Sequence, residues 1–231
     1  MNYDWNFQRL SPYWEAFLSG TYTTLSLTFY VILFGTLLGI IVGFLLSNKV
    51  IRVFLYPFID VVRALPPLVL ILFLYYSLTE QIIGTAITAY WIYVISMSLN
   101  LAAFTSDVVR SSIEDVPIAD IEAGRALGMS QSQIRRHIVL PHVIRDVVPS
   151  MTILYIGMLK MSSLASIINV GEVVYTAQTV ISQISRSLEA WTIVGLIYII
   201  LVVPCTYFAR WIEKWSKRPS HTKEKGLFRW A

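Results

Sequence analysis

The sequence has little charge. Of its 231 residues, 14% are charged, whereas a soluble domain has about a quarter. Three stretches contain no charged residue at all: Ala16 to Asn48, Gln81 to Ser106 and Ala190 to Ala209. A helix of about 20 apolar residues crosses the hydrocarbon core of a bilayer, so each stretch is long enough to do so. This composition excludes an ordinary soluble domain.

Several chemical features are also scarce or missing. A single cysteine, Cys205, excludes a disulfide within the chain. The three histidines, His137, His142 and His221, do not have the spacing of metal ligands. The phosphate-binding pattern G-x-x-x-x-G-K-[ST] does not occur, so the chain is not expected to hydrolyse ATP. Residues 1–15 mix charged residues of both signs with aromatic residues, which is typical of a segment at a membrane surface and not of a signal peptide.

Two further segments are predicted to cross the membrane although each is interrupted. Val53 to Leu78 contains the pair Pro66-Pro67, and Val147 to Val170 contains Lys160. Backbone groups in lipid must be hydrogen-bonded within the protein, so all of these segments are expected to be helices. The sequence therefore predicts an all-α integral membrane protein with five transmembrane helices.

Positive residues indicate the orientation, because cytoplasmic connections are enriched in lysine and arginine. Cations follow the first, third and fifth spans, and the other connections have few. This pattern predicts an N-terminus outside and a C-terminus in the cytoplasm, and it explains the net charge of +4 without nucleic-acid binding. The expected regions are an N-terminal segment 1–17, a transmembrane domain 18–215 that includes a cytoplasmic segment 115–141, and a basic tail 216–231.

The cytoplasmic segment 115–141 is predicted to form two short helices joined by a glycine. Gly128 can adopt the left-handed conformation that ends a helix. Ser130 and Gln133 form an S-x-x-Q capping box for the second helix. That helix is expected to stop before Pro141, because proline disfavours helical geometry in the residue that precedes it. Either a partner docks on this pair of helices, or their polar character serves solubility alone.

The spacing within this segment resembles the EAA signature of ABC-importer permeases, which reads E-A-A, three residues, G, nine residues, I-x-L-P. The one departure is Gly124, where the family usually has alanine. The resemblance implies a coupling helix that sits in a groove of a cytoplasmic ATPase. The residues implied in coupling are Glu122, Ala123, Gly124, Arg125, Gly128, Ile138, Leu140 and Pro141.

Four other stretches resemble the polar amino-acid branch of these permeases: "GTYTTLSLT", "VVRALPPLVLILFLYY", "SLNLAAFTSDVVRSSIEDVP" and "LKMSSLASIINVGEVV". The resemblance implies a type I ABC-importer permease fold in a bacterial inner membrane. It also implies a second permease copy or a paralogue, a dimer of ATPases that binds ATP and Mg, and an extracytoplasmic binding protein. No cofactor is expected on this chain itself.

Polar or helix-breaking residues within the spans are candidates for the solute pathway. Lys160 either touches an anionic group of the solute or pairs with a neighbouring helix or subunit. Asn100 either contacts the solute or makes a hydrogen bond between helices. The full set is Arg63, Pro66, Pro67, Asn100, Lys160, Met161, Ser162 and Ser163.

Arg63 and the proline pair also have a structural alternative. Arg63 lies three residues after Asp60, so the two can pair on one helix face, and this pair is interpreted as structural. Pro66 and Pro67 either expose backbone groups to a solute cavity, as in interrupted transporter helices, or only kink the helix for packing.

Met161 is an informative departure, because the related permeases often have aspartate there. A pathway without that carboxylate is expected to favour neutral zwitterions or anions over cationic amino acids, unless a paired paralogue binds the solute. The function expected is import of polar amino acids or similar small zwitterions. The alternatives are a compatible solute or an opine as substrate, or a scaffold subunit without a transport path.

Overall fold

The computed structural model describes residues 3–78 and 87–216. Every regular element in these ranges is a helix. The connection around Gln81 and the predicted basic tail after Ser216 lie outside the described residues. Within these ranges a short 3-10 helix, Phe7–Tyr13, precedes nine α-helices, which are α1 Trp14–Leu46, α2 Lys49–Ala64, α3 Pro67–Ser77, α4 Ala89–Glu114, α5 Ile118–Ala126, α6 Gln131–Ile134, α7 Leu140–Met161, α8 Val173–Ile184 and α9 Ser187–Ser216.

Four continuous helical segments are long and apolar enough to cross a membrane: Phe7–Leu46, Ala89–Glu114, Gln131–Ile168 and Ser187–Lys214. The second predicted span is a pair of helices, α2 and α3, that are bent by 105°. Five spans result if the bent pair counts as one, as the sequence predicts.

Proline causes the bend between α2 and α3. Leu65 and Pro66 have the extended ψ angles of 129° and 136°. A proline clashes with helical geometry in the residue before it, and here the consecutive prolines place this restriction on Leu65 and then on Pro66. Pro67 can begin α3 because the first residue of a helix needs no N–H donor.

The predicted helix end before Pro141 is wrong. The chain is helical from α6 through a π-helical segment, Arg135–Val139, into α7. In the π segment the Leu140 N–H bonds to Arg135 O, five residues back. We infer that this wider turn accommodates the proline ring, which in a regular α-helix would clash with the carbonyl four residues earlier.

Helix α4 is the centre of the molecule. It packs along α1, α2, α3 and α7. In an 18-residue apolar stretch of α4, 72% of the residues are buried, compared with 6% in the corresponding stretch of α9. The main apolar cluster joins α4 to four neighbouring segments through side chains such as Val31, Ile71, Met97, Met158 and Ile168. A second cluster joins the start of α1 to α8 and α9. Helix α9 therefore lies at the edge of the helix bundle, and most of its surface is not covered by other helices of this chain.

Candidate functional site

Segment 115–141 folds into the helix–glycine–helix arrangement that its sequence predicts. Gly128 has a φ of +75°, and its N–H bonds to Arg125 O at 2.9 Å, which closes the end of α5. The capping box is formed: Gln133 N–H donates to Ser130 Oγ at 3.3 Å, and Ser130 N–H donates to Gln133 Oε1 at 2.8 Å. The joint between α5 and α6 is therefore defined by backbone geometry.

The two ends of the E-A-A…I-x-L-P pattern touch each other. Gly124 is buried, and a Cβ atom built on it would lie 2.7 Å from Cδ1 of Ile138 and 3.4 Å from Ile134. Glycine in place of alanine lets α5 approach the π segment closely. The spacing of the pattern thus has a packing reason, since it brings one residue from each end into contact.

The outer side of α5 is exposed and partly apolar. Glu122, Ala123 and Arg125 are exposed, and two large apolar side chains flank them, Ile118 at 72% and Leu127 at 82% exposure. Large apolar side chains on an otherwise polar surface are characteristic of docking sites. Of the predicted coupling residues, Gly124 and Ile138 lie between α5 and the π segment, and Leu140 and Pro141 are exposed at the start of α7.

Arg63 lies in an ion-pair network between α2 and α4. Its predicted partner, Asp60, is 3.9 Å away, but Asp107 on α4 is closer, at 3.3 Å. Asp107 also accepts hydrogen bonds from Arg110 at 2.7 Å and from the Tyr56 hydroxyl at 3.1 Å. Sequence analysis missed this carboxylate, although the Asp107–Arg110 spacing of three on a helix was a readable signal.

The same network continues to the end of α4. Glu114 forms ion pairs with both Arg110 and Arg52. Asp115, the first residue of segment 115–141, is the C-cap of α4. The network therefore ties α2 to the part of α4 that leads into the candidate coupling segment.

Lys160 lies in a groove on the outside of the chain. Its side chain is exposed, and the groove of about 390 Å³ is lined by Lys160, Ser163, Tyr198, Ile199, Val202 and Val203. Within residues 3–78 and 87–216, no carboxylate lies within ion-pair distance of Lys160. The groove combines one cation and hydroxyl groups with an apolar wall from α9.

The neighbours of Lys160 point elsewhere. Met161 is half-buried and packs against the main apolar cluster. Ser162 is fully buried, and its hydroxyl lies 2.7 Å from Leu159 O and 3.2 Å from Tyr198 Oη. Asn100, in α4, is 2% exposed. Of the predicted pathway residues, only Lys160 and Ser163 share the groove.

Two buried carboxylates were not singled out from the sequence. Glu172 accepts a hydrogen bond from Tyr175 N–H at 2.8 Å at the start of α8, and Thr24 of α1 lies 3.5 Å from its other oxygen. The sequence offered little sign that Glu172 is buried, because an isolated glutamate after a span is also common in exposed loops. Glu189, at the start of α9, accepts from Asn6 N–H at 3.0 Å and from the Tyr3 hydroxyl.

The Glu189 contacts fix the N-terminal segment, which the sequence placed only at a membrane surface. Arg186 adds a hydrogen bond of 2.7 Å to Asp4 O. The hydrogen bond to Glu189 raises the pKa of Tyr3 above its ordinary value. Among the residues that the structure describes, no group of three His, Cys, Asp or Glu side chains could hold a metal ion.

Comparison with known proteins identifies the family. A family model described as "Binding-protein-dependent transport system inner membrane component" matches residues 35–218. The nopaline transport system permease protein NocM of Agrobacterium fabrum is 30% identical over 208 residues, which cover 86% of each chain. The glutamine transport system permease protein GlnP of Escherichia coli is 27% identical, with coverage of 94% of this chain and 99% of GlnP.

A solved structure supports the same assignment. The crystal structure of an amino acid ABC transporter with histidines contains a chain that superposes with a TM-score of 0.83 at 28% identity, covering 93% of this chain and 99% of that chain. The chain therefore belongs to the family of binding-protein-dependent transport system inner membrane components, and it is the permease subunit of an ABC importer, which works with a separate ATPase subunit and a binding protein.

Proposed function

We propose that this permease imports polar amino acids or similar small zwitterions along a pathway between two permease chains. The chain pairs with a second copy or a paralogue, and the groove around Lys160 faces that pathway. The N-terminus lies outside and segment 115–141 lies in the cytoplasm, as the distribution of cations indicates. The names of the relatives support this solute class, since GlnP is a glutamine permease and NocM a nopaline permease.

The observation that carries the proposal is the exposure of Lys160 inside a segment that is long and apolar enough to span the membrane. It lies within Gln131–Ile168, in the last turn of α7 and eight residues before the end of that segment. A charged residue at the centre of a bilayer costs about 3 kcal/mol even on the lowest scale. Lys160 therefore faces a partner or a water-filled path and not lipid.

The chemistry of the groove fits an amino acid. An ammonium group can bind an α-carboxylate through a charge-assisted hydrogen bond. Ile199, Val202 and Val203 offer an apolar wall for the aliphatic part of a solute. Opines also carry carboxylates, so an opine is the second candidate, and NocM is the observation that favours it.

Segment 115–141 is proposed to transmit the motion of the ATPase. Ile118 and Leu127 would enter the ATPase groove, with Glu122 and Arg125 beside them. When ATP closes the ATPase dimer, the two segments 115–141 approach each other and the spans open outward. ATP and Mg bind to the ATPase subunit and not to this chain.

The test is ATP-driven uptake by proteoliposomes that contain the permease, its ATPase and its binding protein. The solutes are glutamine, glutamate, arginine and nopaline. Lys160→Gln is expected to lower uptake of the preferred solute about tenfold or more, because a hydrogen bond to a charged group is lost. Lys214→Gln, at the end of α9, is the matched control. Unchanged uptake by the Lys160 variant would contradict the proposed pathway, and absence of all uptake by the wild type would favour a scaffold subunit.

A second variant tests the solute preference. We expect wild-type permease to prefer neutral zwitterions or anions over arginine, because Lys160 is the charge in the groove. Met161→Asp is expected to shift uptake toward arginine only if it reaches the pathway, and Met161 packs toward the core in this chain. A wild type that prefers arginine would refute the proposed role of Lys160, and an unchanged preference in the Met161 variant would show that position 161 lies off the pathway.

A further inference from the structure

A basic pocket lies beside segment 115–141, on the side that faces the end of α1. Its volume is about 720 Å³. Its cations come from α5 and the π segment, and its apolar part comes from the ends of α1, α4 and α7. We define the basic pocket by Arg125, Arg135, Arg136, Phe44, Ile113 and Leu140.

The three arginines of the basic pocket are available for an anion. Arg125, Arg135 and Arg136 are exposed, and no carboxylate of residues 3–78 or 87–216 lies within ion-pair distance of them. The acidic residue at the end of α4, Glu114, is already paired with Arg52 and Arg110. Three guanidinium groups around one pocket favour a phosphate group, which arginine binds through two parallel hydrogen bonds.

The apolar part of the basic pocket lies at the ends of membrane-spanning helices. Phe44 is 54% exposed and lies in the last turns of α1, which is a membrane-spanning helix. Leu140 is 45% exposed at the start of α7. A ligand that fills the pocket therefore meets cations on one side and the apolar end of a span on the other, so it must be amphiphilic.

We propose that the basic pocket binds an anionic phospholipid of the inner leaflet, with its phosphate on Arg135 and Arg136 and an acyl chain along Phe44 and the end of α1. The assignment rests on the cytoplasmic orientation given under the proposed function. Basic pockets between transmembrane helices on the cytoplasmic side are established sites for anionic headgroups. An acidic surface of the ATPase would satisfy the arginines but would leave Phe44 uncovered, so the lipid explains more of the pocket.

The consequence is a link between lipid composition and coupling. Arg135 and Arg136 belong to the π segment that connects α6 to α7. A phospholipid held there would brace this widened turn against the end of α1. Anionic lipid is then expected to raise ATPase activity that depends on the binding protein and solute.

The experiment is native mass spectrometry of the detergent-solubilised complex of permease and ATPase, titrated with phosphatidylglycerol, phosphatidylcholine or inorganic phosphate. The wild type is expected to bind phosphatidylglycerol in preference to phosphatidylcholine. The double variant Arg135→Gln/Arg136→Gln is expected to lose about 30-fold in relative affinity for phosphatidylglycerol, as removal of two cations near a headgroup implies. Arg135→Lys/Arg136→Lys keeps the charge and is expected to lose less, and it also shows whether the positions tolerate change.

Arg145→Gln is the matched control, since Arg145 is also exposed near the start of α7 but does not line the basic pocket. It is expected to leave the preference for phosphatidylglycerol unchanged. Equal binding of the two lipids, or wild-type lipid selectivity in the double glutamine variant, would overturn the proposal. Displacement by inorganic phosphate without any lipid preference would indicate a site for a soluble anion instead. Loss of the ATPase with unchanged lipid selectivity would assign the arginines to the ATPase interface. The readout does not involve transport, so a failed solute proposal would leave this result intact.

Discussion

Helix α4 makes two interfaces of opposite character, one with α1 and one with α2. At the α1 interface, three glycines spaced four residues apart face larger α4 side chains. Cβ atoms built on these glycines would lie 2.4 to 2.9 Å from their nearest α4 atoms. The facing pairs are Gly35 with Leu101, Gly39 with Thr105, and Gly43 with Val109.

At the α2 interface, a small apolar cluster around Ile59 and Ala103 is joined by a network of charged groups. Asp107 binds Arg63, Arg110 and Tyr56, and Glu114 binds Arg52 and Arg110. Arg63 also lies over the Phe104 ring at 5.4 Å. The α4 members of this network, from Phe104 to Glu114, occupy its last three turns, near the end of the span.

The difference follows from the solvent around each interface. Lipid gives two apolar helices little reason to associate, so close packing of small residues has to hold them together. Charges are costly at the centre of a bilayer but tolerable near its edge. The α1 interface therefore depends on close packing, and the α2 interface adds ion pairs to a small apolar cluster.

The largest loss of stability is expected from a substitution at Gly39. In Gly39→Val the new Cβ would lie 2.4 Å from Thr105 Cβ, so α1 and α4 must move apart. We expect a loss of roughly 3 kcal/mol of stability, at the upper end for overpacking. Thermal unfolding in detergent, followed by size-exclusion chromatography, measures it. Gly157→Val is the control, because nothing lies within 4 Å of a Cβ there, and an equal loss in both variants would refute the close-packing explanation.

The next effect is at Arg110. Arg110→Gln removes the ion pairs to Asp107 and Glu114, and we expect a loss of about 2 kcal/mol, in the range for hydrogen bonds to charged groups. The same unfolding assay is used, with Asp107→Asn and the double variant completing a cycle. Additive losses would show that the two residues do not act together.

A glycine can be required by its backbone conformation or by a lack of space, and Gly128 is a case of the first kind. Its φ is +75° and nothing lies near a Cβ built on it, so backbone conformation and not space requires glycine. Gly128→Val is expected to cost about 1–2 kcal/mol locally and to reduce transport-coupled ATPase activity in proteoliposomes while the protein still inserts. Gly128→Asn should retain most activity, because asparagine tolerates this conformation. Full coupled activity in the valine variant would refute the docking role of the segment.

The smallest effect is expected at Asp60. Its oxygen is 3.9 Å from Arg63 and its side chain is 56% exposed, so Asp60→Asn should change stability by about 0.5 kcal/mol or less. A thermal shift as large as that of Asp107→Asn would mean that Arg63 depends on its helix neighbour and not on α4.

Local features were predictable where the physical cause lies within a few residues. The uncharged runs indicate the spans, Pro66 and Pro67 break the second span, and the capping box of Ser130 and Gln133 is formed. The prediction failed at Pro141, because a π turn relieves the clash that a proline makes in a regular helix. That accommodation depends on the backbone register of the whole segment, which the rule for the preceding residue ignores.

The sequence by itself determined the membrane class, the number of crossing segments and the form of segment 115–141, because hydropathy, charge and turn chemistry act over short distances. Only the tertiary structure decided which residues meet. It placed Arg63 on Asp107 and Gly39 on Thr105, and it turned Lys160 outward while Met161 turned inward. Such contacts join residues that are distant in the chain or depend on which face of a helix is covered, and no local pattern contains that information.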